Sequence, residues 1–145
     1  MKRITVTLFA LLVLLLAGCA DAPQEQPPGE SAPPQPGYTQ ITQQEAREMM
    51  ARDDGHVVLD VRRQDEYDAG HIPGALLLPN ESITDVRPEA LPDPEQIILI
   101  YCRSGNRSKQ AAQKLADMGY TNLYEFGGII DWTGETVVSE HKYNE

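Results

Sequence analysis

The chain is short of the groups from which most active sites are built. It has two cysteines, Cys19 and Cys102, and three histidines, at 56, 71 and 141, so neither a disulfide framework nor a zinc cluster can be assembled. Positive charge is also scarce: 12 Lys+Arg stand against 22 Asp+Glu, a formal net charge of -10 that argues against nucleic acid as a partner. No apolar run is long enough to cross a bilayer as a helix, which takes roughly 20 residues. What remains is a hydrophobic fraction of 41% over 145 residues, enough for one compact domain plus tails. No cofactor or metal is called for. Any chemistry is done with very few reactive groups.

The N-terminus reads as a targeting segment. Lys2 and Arg3 precede an apolar run of 14 residues from Ile4 to Ala17, the shape of an export signal. The run ends in Leu16-Ala17-Gly18-Cys19, which resembles the lipobox of bacterial lipoproteins. That resemblance implies a signal peptide over 1–18 and a lipidated Cys19 as the first mature residue, holding the protein on a membrane of the cell envelope, facing the periplasm. A plain secretory signal or an uncleaved anchor are the competing readings. Ala20 in place of Asp after the cysteine points, by resemblance to enterobacterial sorting, to the outer membrane. Residues 19–37 form the linker, with six of the chain's 11 prolines between 20 and 37. In polyproline geometry those residues reach about 50 Å at roughly 3.1 Å each.

From residue 38 to 145 the pattern changes to periodic apolar segments. Thr42-Gln43-Gln44-Glu45 has capping-box spacing, with Ala46, Met49 and Met50 on one helical face. Val57–Val61, Ala75–Leu78, Gln96–Tyr101 and Leu123–Phe126 predict strands, the third being the strongest. Helices are predicted over Gln64–Ala69, closed by Gly70, and Lys109–Met118, with Ala111, Ala112, Leu115 and Met118 on one stripe. Strands alternating with helices imply an α/β domain with a parallel sheet covered on both faces, and in such sheets ligands sit beyond the carboxyl ends of the strands.

Cys102 stands at such an end. A cysteine between a buried strand and a helix start sits among backbone N–H groups and the positive end of a helix dipole, which favour the thiolate. Arg103, Arg107 and Lys109 gather three cations there, while the 38–145 segment as a whole carries 10 basic and 19 acidic residues. Gly105 supplies the backbone angles that a tight anion-cradling loop needs. The alternative is a cysteine that is only a small buried hydrophobe.

These residues resemble the rhodanese-like sulfurtransferases. The resemblance runs from Tyr38 to Trp132 through Asp60-Val61-Arg62, Glu66-Tyr67, Gly70-His71-Ile72-Pro73-Gly74-Ala75, Cys102-Arg103-Ser104-Gly105-Asn106-Arg107-Ser108, and Gly127-Gly128 followed by Trp132. It implies a five-stranded parallel sheet flanked by helices. It also implies a Cys102 that takes sulfane sulfur from a small anionic donor such as thiosulfate, forms a persulfide, and passes the sulfur to cyanide or a thiol. Arg103, Ser104, Gly105, Asn106 and Arg107 would line the pocket, their N–H groups holding the persulfide and the donor. With Cys19 lipidated and no third cysteine, the acceptor comes from outside the chain.

Asp60 and Arg62, at a neighbouring strand end, are candidates for touching the loop or substrate; an ion pair of Arg62 with Glu66, four residues on, is the structural alternative. His71 is expected to bond backbone in a turn, and Tyr101 and Trp132 to be core. Two other functions compete. Phosphatases and arsenate reductases on the same fold separate cysteine and arginine by five residues, whereas here four lie between Cys102 and Arg107, which favours sulfur transfer. A non-catalytic envelope-binding module is the other, and the presence of Cys102 weighs against it.

Overall fold

The strongest apolar run becomes the middle of the sheet. The computed structural model describes residues 37–139 and orders them as β1 (Thr39–Gln40), α1 (Gln43–Met50), β2 (Val57–Asp60), α2 (Gln64–Ala69), β3 (Leu76–Leu77), a 3-10 turn (Asn80–Ser82), β4 (Ile98–Cys102), α3 (Asn106–Asp117), β5 (Leu123–Gly128) and a second 3-10 turn (Ile129–Asp131). The expected signal peptide over 1–18, the lipidated Cys19, the linker up to residue 36, and residues 140–145 lie outside the described residues.

The five strands form one parallel sheet in the order β1-β5-β4-β2-β3. β4 is buried along its whole length, and the two-residue period of a strand sends its side chains to opposite faces. Ile98, Ile100 and Cys102 pack with Ala111, Ala112 and Leu115 of α3; Leu99 and Tyr101 pack with Ala46 of α1, Ile72 and Phe126. Burying a Leu or Ile fully contributes about 1.5–3 kcal/mol. The expected α/β sheet with helices on both faces is the observed fold.

Local signals account for the helix starts. The Thr42 hydroxyl accepts the Glu45 N–H at 3.2 Å and Glu45 accepts the Thr42 N–H at 2.7 Å, the reciprocal box its spacing predicts. Glu66 does half of the same job on α2, accepting the Arg63 N–H at 3.2 Å. The third helix departs from its predicted bounds. Gly105 takes a left-handed φ of 98° and turns the chain at once, so α3 begins at Asn106 instead of Lys109. Asn106, Arg107 and Ser108 are therefore the first helical turn, where N–H groups have no intrahelical partner. β1 has only two residues, too few for any periodicity; it exists through its pairing with β5.

Candidate active site

Cys102 closes β4 with only 1% of its surface exposed, and its sulfur lies over the start of α3. The Gly105 N–H donates to Sγ at 3.1 Å. Burial pushes the thiol up. Hydrogen bonds from the Ser108 hydroxyl and N–H, and from the N–H groups of Ser104 and Gly105, outweigh it and hold the thiol below its ordinary value. The sulfur thus sits among N–H and O–H donors that favour its thiolate form, and among the described residues no histidine or lysine is hydrogen-bonded to it.

The sheet itself shapes this cradle. Between Ile100 and Cys102 the register with β5 slips, Ile100 standing opposite Glu125 and Cys102 opposite Gly128, so β5 holds one extra residue there. A side chain at Gly128 would collide with the Arg103 carbonyl oxygen and the Ser104 Cα; only glycine lets β5 end against the loop. The Ile130 N–H then bonds the Arg103 carbonyl at 3.2 Å and ties the following turn to the loop.

The other loop residues divide by exposure. Arg103, Ser104 and Asn106 are exposed, Gly105 and Ser108 buried, Arg107 half-buried. Arg107 is not a free cation. Its two terminal nitrogens meet the Glu66 carboxylate at 2.6 and 2.8 Å, a bidentate pair that lowers the Glu66 carboxyl to about 2 and raises Arg107 further. Arg103 and Lys109 are the exposed cations of the group.

Asp60 and Arg62 take another arrangement. Arg62 Nε donates to Asp60 at 2.9 and 3.1 Å, its Nη2 to Asp60 at 2.6 Å and to the Gly70 carbonyl at 2.7 Å, while its guanidinium lies 5.6 Å from the Tyr101 ring centre. The expected Arg62–Glu66 pair is therefore not formed. Arg62 precedes α2, so the four-residue spacing that would align the two on a helix does not apply. Asp60 shares the α1 face with Tyr101, and none of the hydrogen bonds of Asp60 or Arg62 goes to residues 103–107. His71 bonds the Tyr67 carbonyl through Nδ1 at 2.9 Å and stacks on the Tyr67 ring, the backbone role expected of it.

The family model described as Rhodanese-like domain matches residues 42–135. The chain belongs to the rhodanese-like family. It is 34% identical over 108 residues to the thiosulfate sulfurtransferase GlpE of Coxiella burnetii (strain RSA 331), covering 74% of this chain and 98% of that one. It is also 34% identical over 73 residues to the thiosulfate sulfurtransferase PspE of Escherichia coli K12, covering 50% and 70%. Among solved structures, a rhodanese with anions from E. coli superposes with a TM-score of 0.53 at 32% identity, covering 58% of this chain and 99% of that one. A rhodanese-like domain protein from Staphylococcus aureus gives 0.61 at 26%, covering 70% and 98%. The rhodanese-like chain is thus a member of a sulfurtransferase-like enzyme family.

Two acidic residues of this rhodanese-like site had no assigned part in the sequence reading. Glu66 stands in the sequence as part of the Glu66-Tyr67 motif and as a possible partner for Arg62, with no link to Arg107. Glu125 carried one signal: it follows Leu123 by two residues, which puts an acidic side chain on the inward, α3-facing side of a strand.

Proposed function

We propose that this chain is a single-domain sulfurtransferase in which Cys102 carries the transferred sulfur as a persulfide. The observation that supports it most is the convergence of N–H groups from a four-residue loop on a buried, depressed-pKa sulfur. The Cys102 thiolate attacks the outer sulfur of a donor such as thiosulfate; a new S–S bond forms, the donor's S–S bond breaks, and sulfite leaves with the electron pair. An acceptor, cyanide or a thiolate, then attacks the outer persulfide sulfur and Cys102 departs as thiolate. No general base and no cofactor enter this sequence. Loop N–H groups that bond the thiolate would hold the developing negative charge of the persulfide in the same way.

The near-complete burial of Cys102 restricts the donor to a small or slender molecule. Arg103 and Lys109 would draw an anion to the mouth, and Arg107, held by Glu66, would order the loop around it. The acceptor is external because Cys102 has no second thiol beside it among the described residues. Intact-mass measurement tests the reading: thiosulfate should add the mass of one sulfur atom at Cys102 and cyanide should remove it. Hydrolysis of an aryl phosphate without sulfur transfer would put the phosphatase reading in its place, and full biological activity in Cys102→Ala would favour a binding module.

We also propose that Cys19 is the lipid attachment site, placing the domain on the envelope. Support comes from the Leu16-Ala17-Gly18-Cys19 sequence at the end of the apolar run. Radiolabelled palmitate should enter the wild-type chain and not Cys19→Ala, which should leave the membrane fraction.

A further inference from the structure

Glu125 is only 3% exposed, and no lysine or arginine among the described residues is ion-paired with it. A carboxyl group is costly to bury unless its oxygens are hydrogen-bonded. Here Oε1 accepts the Ser108 hydroxyl at 2.6 Å and the Gly127 N–H at 2.9 Å, and the Gln40 amide reaches Oε2 at 3.4 Å. Those bonds join the first turn of α3, the end of β5 and β1. Packing alone does not call for a carboxyl at this place. Leu123, two residues earlier on the same face of β5, fills the α3 side of the core with apolar atoms and needs no hydrogen bonds.

What the bonds hold is a contact between two left-handed glycines. Gly105 in the loop has a φ of 98° and Gly127 on β5 a φ of 91°. They lie back to back: a β-carbon added to Gly105 would stand 3.7 Å from Gly127 Cα and 4.0 Å from Glu125 Oε1. The carboxyl therefore rests against the Gly105 backbone and is tied to both sides of the contact. On the loop side, the single Ser108 hydroxyl proton lies between Glu125 Oε1 and the Gly105 carbonyl oxygen at 2.9 Å, so the side chain is held from both. The N–H of that same Gly105 is the donor to Cys102 Sγ at 3.1 Å. On the strand side, the Gly127 N–H bond closes the extra residue by which β5 slips against β4, the slip that brings Gly128 opposite Cys102.

We propose that Glu125 is a positioning residue for Cys102: through Oε1 it staples Ser108 to Gly127 and so keeps the Gly105 N–H aimed at the sulfur. Neither the sulfur nor a donor molecule is bonded to it. What the reaction takes from Glu125 is an acceptor oxygen at a fixed reach. That role presupposes Cys102 as the nucleophile of the sulfurtransferase reading. A displacement of about 1 Å in a group that holds the reacting atom can cost about 100-fold in rate.

Two variants separate the acceptor from the shape. Glu125→Gln retains an acceptor oxygen at the same reach, and Glu125→Leu fills the space with none. Both are compared with wild type in thiosulfate:cyanide turnover and in iodoacetamide alkylation at pH 6, read at the Cys102 peptide by mass spectrometry. Glu125→Leu should lower kcat by about 10- to 100-fold with KM within about 2-fold. Its alkylation should slow by about 3-fold or more, because the loss of thiolate outweighs the greater nucleophilicity of what remains. Glu125→Gln should restore both rates to within about 3-fold of wild type. A folded Glu125→Leu protein alkylated at the wild-type rate overturns the proposal. So does a Glu125→Gln protein as slow as Glu125→Leu, since the acceptor oxygen would then not be what matters. If Glu125→Leu does not fold, Glu125→Asp takes its place, drawing the carboxyl back by one C–C bond, about 1.5 Å. It should show the same loss, and wild-type alkylation in it overturns the proposal. If the wild type transfers no sulfur, the sulfurtransferase reading fails while the alkylation rates still decide this one.

Discussion

The two faces of the sheet, compared at its carboxyl end, treat buried ionisable groups in opposite ways. Tyr101 and Cys102 are neighbours in β4 and point to opposite sides. On the α1 side, Asp60 is met by Arg62 through three side-chain hydrogen bonds, and Arg62 Nη2 also donates to the Gly70 carbonyl. Every charge there has its counter-charge. On the α3 side, Cys102 and Glu125 are met by N–H and O–H groups, and among the described residues no cation is bonded to either. A closed ion pair holds a strand end and a turn together and leaves nothing to react. A sulfur stabilised by dipoles keeps its lone pairs available to an electrophile, which is the condition for a nucleophile.

The comparison is sharpest if each face is broken separately. Cys102→Ala should reduce sulfur transfer by at least about 10⁴-fold, since the covalent intermediate is lost. The same change should move stability by no more than about 1 kcal/mol, the sulfur being placed for reaction more than for packing. Thiosulfate:cyanide turnover and urea unfolding measure the two. Asp60→Asn should do the reverse. It leaves the Arg62 guanidinium, 5% exposed, without its counter-charge, and should destabilise the fold by about 3–5 kcal/mol. Below its unfolding transition that variant should still be alkylated at Cys102 with the wild-type pH profile. A shifted profile would mean that the two faces are coupled through β4.

How far the sequence carries this picture depends on the range of each contact. The capping box at Thr42, the apolar run Ile98–Tyr101 and the stripe Ala111, Ala112, Leu115 are local, and each was readable. So was Cys102, because a cysteine at the end of the strongest strand, followed by Arg103, Gly105 and Arg107, is a pattern in consecutive residues. The start of α3 was misplaced because Asn106-Arg107-Ser108 is polar enough to read as loop, and only the left-handed Gly105 reveals that the helix has begun. The partners of Arg62 and Glu66 were mismatched for another reason. Glu66 meets Arg107, 41 residues away, and no periodicity connects them until β2 and β4 are known to be adjacent. Glu125 is 17 residues from Ser108, and the hydrogen bond between them likewise joins two elements that only the fold brings together.

A weaker probe is the Glu66–Arg107 pair, which lies between the two regimes: a real ion pair, but at the rim. Its carboxyl is held at about 2, below the ordinary carboxylate range. A lowered folded-state value means that the stabilisation is fully present above about 4.5 and is lost as pH falls toward 2. Glu66→Gln should therefore cost about 1–2 kcal/mol at neutral pH, a figure reduced for solvent screening. Unfolding curves of variant and wild type should converge between pH 4.5 and 2. Curves that stay parallel to low pH would show that Glu66 acts through shape and not through charge.

The smallest effect is expected at Arg103, and it separates local charge from the cradle. Arg103 is exposed, and its backbone carbonyl, not its guanidinium, is what the Ile130 N–H holds. Arg103→Gln should leave stability and the Cys102 alkylation profile unchanged. What it removes is part of the field that brings an anion to the loop of an otherwise acidic chain. The KM for thiosulfate should rise by about 3–10-fold with kcat held, and the difference from wild type should shrink as salt screens the exposed charge. A fall in kcat at constant KM would instead place the guanidinium against the transition state. The dipole cradle alone would then not account for the reactivity of the α3 face.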